Sequence, residues 1–219
     1  MKIETIKTKL LDFVYPPVCS ICGEISNQTI CSKCRPKLNE WKACKKHIYL
    51  TKEFEEHFYV LWYQDWVKEK LVSYKFSEKT YLCEGFVKIL LNDQKVCAFL
   101  ENYDIMIPVP ISRKRLRQRG YNQVSLIGKQ IAKHTKQLEY NEHILVKIKD
   151  TKPQSLLDKE KRKINLEGAY VVKNENFILN KKVLLFDDVF TTGSTMNACS
   201  KVLKQAGVKL VGALTIAKD

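Results

Sequence analysis

No apolar run in this 219-residue sequence approaches the roughly 20 residues that a membrane-spanning helix needs. Its first residues, MKIETIKTKLLDFVYPP, are charged, and they lack the continuous apolar core and small-residue cleavage site of a secretory signal. The expected compartment is therefore the cytoplasm. Internal repeats, low-complexity tracts and a flexible linker are absent as well. Arginine is scarce. Only six of the 38 lysines and arginines are Arg, so the positive charge is mostly diffuse lysine.

Enough apolar surface is present for a core. An apolar content of 45% suits one or two globular domains and not a disordered chain. The net charge of +14 has two readings: a solvated lysine-rich surface, or an anionic partner such as nucleic acid, phosphate or an acidic protein. Distribution separates them in part. Four of the six arginines are Arg113, Arg115, Arg117 and Arg119, and clustered guanidinium groups bind phosphate bidentately.

Four of the eight cysteines lie in CSICGEISNQTICSKC as Cys19, Cys22, Cys31 and Cys34. Two C-x2-C turns separated by eight residues present four thiolates to one tetrahedral zinc ion. A segment this short buries little, so zinc would supply its folding energy. Disulfide pairing is the alternative, and a reducing cytosol opposes it. A weaker echo follows as Cys44 and His47, which have ligand spacing but no partner pair. Cys83, Cys97 and Cys199 sit in apolar surroundings and read as core residues.

Periodicity predicts a helix over residues 3 to 14, stopped by Pro16 and Pro17. A strand follows at 57–63, then a helix carrying Val67, Leu71 and Tyr74 and a helical stretch over 80–100. Further along come a buried strand ending near Pro110, a helix over 122–134, a short strand at 143–149, a strand at KVLLF, a helix over 194–205 and a final strand. Strands that are apolar on both faces and alternate with helices indicate a parallel sheet covered on both sides, an α/β class.

Within VLLFDDVFTTGST, residues 183 to 195, an apolar strand ends in Asp187 and Asp188. The turn that follows, Thr191, Thr192, Gly193, Ser194 and Thr195, leads into a helix N-terminus, where free N–H groups and the helix dipole favour an anion. Carboxylates accept hydrogen bonds from sugar diols or hold a metal that bridges to phosphate. A phosphorylated sugar fits both halves. The turn lacks the Gly-Lys-Ser/Thr of a Walker A loop. Helix capping by the acids is the plain alternative, but two adjacent acids exceed what a cap needs.

This stretch resembles the phosphoribosyl pyrophosphate (PRPP) motif of type I phosphoribosyltransferases. PVPISRKRLRQRGYNQ (108–123) and TKPQSLLDKEKRKINLEGAY (151–170), with Pro153, Gln154, Arg162, Asn165 and Gly168, resemble two segments of the ComF family of bacterial competence proteins. The N-terminal helix, Pro-Pro and four-cysteine knuckle are similar too. The resemblance implies a type I phosphoribosyltransferase fold, with a helix and zinc knuckle over 1–50, a phosphoribosyltransferase-like domain over 51–219, and a lid or hood at 151–170. Asp187 and Asp188 would bind the ribose hydroxyls, and Thr191 to Thr195 the 5′-phosphate. Ser112, Arg113, Arg119, Gly120, Asn122 and Gln123 would form a pyrophosphate-facing loop or its hinge, with Mg2+ bridging. Arg113, Arg115, Arg117 and Arg119 suit a nucleic-acid backbone equally well. Tyr121, Trp62, Tyr63 and Trp66 are candidates for stacking on bases, although aromatics in apolar stretches are more often core.

One departure matters. Purine-salvage relatives carry an Asp two residues before the glycine, where this chain has Thr191, so the usual base-assisting acid is missing. No catalytic residue is assigned. The resemblance implies a competence protein that handles imported single-stranded DNA in the cytosol and binds PRPP with Mg2+. An active phosphoribosyltransferase on an unidentified acceptor is the alternative, and so is a zinc-dependent adaptor for competence or recombination proteins.

Overall fold

The computed structural model describes residues 16–50, 53–76, 81–151 and 165–219. The expected helix over 3–14 lies outside these residues, as do Pro153, Gln154 and Arg162 of the expected hood.

After the cysteine knuckle, α1 (Cys34–Trp41) leads into β1 (Lys42–Ile48), and β2 (Glu56–Trp62) returns antiparallel to it. Next come α2 (Asp65–Phe76), α3 (Leu82–Leu91), α4 (Gln94–Leu100) and β3 (Ile105–Pro108). They are followed by α5 (Arg113–Arg119), α6 (Gln123–His134), β4 (Glu139–Tyr140), β5 (Leu145–Lys147) and β6 (Tyr170–Val172). The chain closes with β7 (Lys182–Phe190), α7 (Ser194–Gln205) and β8 (Leu210–Lys218). Among the described residues, six strands form one sheet in the order β1-β2-β8-β7-β3-β4, parallel throughout except for edge strand β1. The expected α/β class with a mostly parallel sheet is borne out.

β7 shows why the sheet is two-sided. Leu184 and Phe186 pack in one apolar cluster with Val124, Ile127 and Ile131 of α6. Val183 and Leu185 pack in the other with Cys199 and Leu203 of α7. Alternate residues of a single apolar run thus feed two cores, as expected of a strand buried on both faces.

Three expectations need correction. The helical stretch over 80–100 is two helices. Asp93 stands between them and caps α4 by accepting from Lys95 N–H at 3.0 Å, a local bond that competes with helix continuation. The short strand near 143–149 does not join the main sheet, because β5 pairs antiparallel with β6 in a separate two-stranded ribbon. Arg113 to Arg119 form α5 and not an open loop. Ser112 caps the start of α5, and Gly120 ends it at φ +75°, a left-handed turn that glycine adopts without a Cβ clash.

The knuckle packs on the body of the molecule. Trp66 of α2 donates through Nε1 to the Ile21 carbonyl at 3.0 Å and stacks on Trp41 with ring centroids 5.2 Å apart. No helix among the described residues is long and apolar enough to cross a membrane.

Candidate functional site

A cavity of about 840 Å3 opens at the carboxyl ends of β3 and β7, the position where parallel sheets bind ligands. Its lining includes Asp187, Asp188, Thr191 and Thr195, with Arg115, Arg119, Lys75 and Lys147 among the cations. Among the described lining residues, five cationic side chains face three acidic ones. The walls therefore favour an anion, while the acid pair is left for hydroxyls or a cation.

Both acids stand inside β7, which runs on to Phe190 through its parallel pairing with β8, where Asp187 is opposite Thr215. Asp187 Oδ1 accepts from the Asp188 N–H at 2.9 Å. Desolvation, then the adjacent Asp188 charge, pushes the Asp187 carboxyl up to about 7. Asp188 Oδ2 receives Lys75 Nζ at 2.6 Å and Gln123 Nε2 at 3.2 Å. Burial alone would lower the Lys75 ammonium, but Asp188 outweighs it and the net shift is upward.

In the turn after β7, the hydroxyls of Thr192 and Ser194 lie 2.8 Å apart, and Ser194 N–H donates to Thr192 Oγ1 at 3.4 Å. Gly193 has φ +75°, and a Cβ there would come within 2.6 Å of the Phe190 ring. This glycine lets the chain turn against the Phe190 ring between Thr191 and Thr195, which line the cavity.

The remaining predicted residues divide by role. Asn122 Oδ1 accepts from Val124 N–H at 3.2 Å, capping α6, and Asn122 Nδ2 donates to the Val109 carbonyl at 3.1 Å. Ser112 Oγ donates to Asp150 Oδ1 at 2.6 Å. The arginine cluster splits by helical spacing. Arg115 and Arg119 are half-buried and line the cavity, whereas Arg113 and Arg117 are exposed and do not. Burial, then Arg115, lowers the Arg119 pKa.

Lys75, Lys147 and Tyr170 were not singled out from sequence. Lys147 is nearly buried, with its ammonium 5.3 Å from the Tyr170 ring centroid. Burial, then Arg115, lowers its pKa. Burial also raises Tyr170 well above the usual phenol. Lys75 and Lys147 come from segments without a local motif, Tyr170 closes the 151–170 segment, and only the fold brings the three to the acid pair.

The aromatic candidates for stacking are mostly engaged. The Tyr121 hydroxyl donates to the Tyr74 carbonyl at 2.9 Å, and Trp62 packs against Tyr59 with Lys45 over its ring at 5.4 Å. Of this group, Tyr63 and Tyr121 line the cavity and Trp62 and Trp66 do not.

In the knuckle, the Sγ atoms of Cys19, Cys22, Cys31 and Cys34 all lie within 4.8 Å of one another. Sulfurs about 2.3 Å from a tetrahedral zinc ion are themselves about 3.8 Å apart, and Cys22 and Cys31 stand at 3.9 Å. The donor set fits zinc. Burial alone would raise the Cys19 thiol, but hydrogen bonds with the backbone of Cys31, Cys22 and Ile21 outweigh it and lower the pKa to about 6. Burial and the neighbouring thiols push Cys34 the opposite way. Four thiolates crowded together need a cation between them. The weaker pair does not assemble. The Cys44 thiol donates to Asp93 Oδ2 at 2.9 Å, and His47 stacks on Tyr59 at 5.5 Å. Among the described residues the four-cysteine group is the one metal-ligand cluster.

The double zinc ribbon domain family matches residues 10–48. Competence protein F of Haemophilus influenzae is 27% identical over 198 residues, covering 88% of this chain and 86% of that protein. Competence protein ComFC of Bacillus subtilis is 24% identical over 191 residues, covering 87% and 72%. ComFC of Streptococcus pneumoniae is 26% identical over 200 residues, covering 91% and 80%. A solved hypoxanthine phosphoribosyltransferase from Staphylococcus aureus matches with a TM-score of 0.38 and 13% identity over 63% of each chain, too loose a likeness to carry an argument.

Proposed function

Because this chain is a homologue of the ComF and ComFC competence proteins along most of its length, we propose that it acts in natural transformation. In this reading it handles imported single-stranded DNA in the cytosol and binds PRPP with Mg2+ in the cavity over β7. The homology supports the role in competence. The ligand assignment has one main support: two acids and a hydroxyl-rich turn at a helix N-terminus face a cavity whose other walls carry arginine and lysine.

Asp187 and Asp188 would accept hydrogen bonds from the ribose hydroxyls, and the turn at Thr191 to Thr195 would hold the 5′-phosphate against the helix dipole. Arg115, Arg119 and Lys147 would face the diphosphate. Mg2+ would screen the diphosphate charge when bound. Four cysteines in a zinc ribbon support a structural zinc ion that folds the N-terminal segment.

Transfer of the phosphoribosyl group to an acceptor is a second reading, favoured by the cavity volume of about 840 Å3, near the upper end for small-molecule sites. Thr191 holds the position where purine-salvage relatives carry an acid, so this reading excludes that form of base assistance.

The test is genetic and biochemical together. A strain lacking the protein should lose transformation by chromosomal DNA, wild type should restore it, and Asp187→Asn/Asp188→Asn should not. Purified wild type should bind single-stranded DNA with an affinity that falls as salt rises. Normal transformation without the protein would end the proposal.

A further inference from the structure

Lys75 has no place in the PRPP reading, yet it makes a short polar contact with the acid pair. Its ammonium lies 2.6 Å from Asp188 Oδ2, with the two side chains 22% and 9% exposed. The side chain is not a stray surface lysine settling on a nearby carboxylate. It leaves the last turn of α2, and that turn is fastened on both sides. The Tyr74 hydroxyl donates to the Gln123 carbonyl at 3.1 Å, and the Tyr121 hydroxyl donates to the Tyr74 carbonyl at 2.9 Å. Gln123 itself reaches the same Asp188 oxygen. Two elements distant in sequence are thus bolted together and deliver an ammonium and an amide to one carboxylate oxygen.

The contact satisfies one oxygen and spares the rest. Among the described residues, no side chain bonds the second Asp188 oxygen or Asp187 Oδ2, and both residues line the cavity. Sugar hydroxyls keep acceptors on both acids while Lys75 stays in place. Two adjacent carboxylates repel each other and call for a cation nearby, and an ammonium already fixed there also repels an incoming divalent ion.

We infer that Lys75 is a built-in counter-ion of the acid pair, which excludes a divalent metal from Asp188 and lets a ribose phosphate seat on Asp187 and Asp188 without one. It is a positioning residue for the ligand. The ligand half of this inference rests on the PRPP reading, whereas the metal half does not.

The experiment has two arms on the full zinc-loaded chain. The first titrates Mn2+ alone, followed by its electron paramagnetic resonance signal. Wild type and Lys75→Arg should take up Mn2+ weakly. Lys75→Met should bind it at least about tenfold more tightly as the repulsion disappears, and adding Asp188→Asn should abolish the gain. Lys75→Gln serves as the neutral variant if Lys75→Met does not fold. A neutral variant that binds Mn2+ no better than wild type, or a gain that survives Asp188→Asn, overturns the assignment. The second arm titrates ribose 5-phosphate in magnesium-free and magnesium-containing buffer. Wild type should bind similarly in both, and Lys75→Met should depend on Mg2+. Equal Mg2+ dependence in the two proteins overturns the ligand half. If wild type binds no ribose 5-phosphate in either buffer while the Mn2+ arm behaves as expected, the PRPP reading fails and the counter-ion stands.

Discussion

Arg119 donates through Nη1 to Gln123 Oε1 across 3.1 Å, and Gln123 in turn reaches Asp188. The end of α5 is thereby tied to the acid pair by one side chain. The other arginine one turn earlier on the same face, Arg115, also lines the cavity, while Arg113 and Arg117 project into solvent. A single helical segment thus presents two cations inward and two outward, and these pairs should have separable effects. Removing the inward pair, Arg115→Ala/Arg119→Ala, should weaken PRPP binding by about tenfold to a hundredfold, the size expected for lost hydrogen bonds to a charged group. Removing the outward pair, Arg113→Ala/Arg117→Ala, should leave PRPP affinity unchanged. It should weaken single-stranded DNA binding and flatten its salt dependence. Calorimetry with PRPP and fluorescence anisotropy with labelled DNA read the two effects. Equal losses in both assays from both double variants would contradict this division.

The zinc prediction separates Cys31 from Cys44. Cys31→Ser should release the metal and destabilise the N-terminal segment by several kcal/mol, because metal binding and folding are coupled there. Cys44→Ala should leave zinc content at one per chain, since the Cys44 thiol is bonded to Asp93. It should cost about 1 kcal/mol for the lost hydrogen bond. Metal analysis and thermal melts check both. Two zinc ions per chain, with one lost in Cys44→Ala, would contradict the single-site account.

Asp187 carries a pH signature. Desolvation and the Asp188 charge hold its carboxyl at about 7 when folded, against an ordinary value of 3.8. A carboxyl raised on folding favours the native state while protonated. Its ionisation costs stability as pH rises from about 4 to about 7, and the cost is constant above that. Asp187→Asn removes this penalty. The variant should be more stable than wild type at pH 8, on the order of 2 kcal/mol, with the advantage shrinking as pH falls toward 4. Denaturant melts at a series of pH values measure the difference. A pH-independent gap would contradict the assignment.

Gly193→Ala should be costly in two ways. The left-handed backbone strains any residue with a Cβ, and that atom would press on the Phe190 ring at 2.6 Å. A destabilisation of about 1–2 kcal/mol is expected, with weaker phosphate binding because the turn shifts away from the cavity. A melt and a PRPP titration of the variant test both parts.

The strand-turn-helix that carries Asp187 and Asp188 was legible because each signal is local: an apolar run, two acids, a glycine, then a periodic helix. The cysteine knuckle was legible for the same reason. α5 was not read as a helix, because RKRLRQR has no apolar periodicity. Its helical state rests on the caps at Ser112 and Gly120, and those residues looked like parts of a loop. β1 was missed because KACKKHI is a lysine-rich edge strand with no buried residue, so it lacks the apolar alternation that marks strands. Lys75 is one of many lysines, and nothing beside it in the chain distinguishes it. Its meaning comes from a contact 113 positions away, between Lys75 and Asp188, and only the tertiary fold supplies that.

The direct test of the central assignment is calorimetric titration of PRPP with Mg2+ into wild type and Asp187→Asn/Asp188→Asn, each first shown to be folded and zinc-loaded. Binding by wild type and its loss in the double variant is the expected result. Absence of binding by wild type, or equal binding by the double variant, would contradict a ribose-phosphate site over β7.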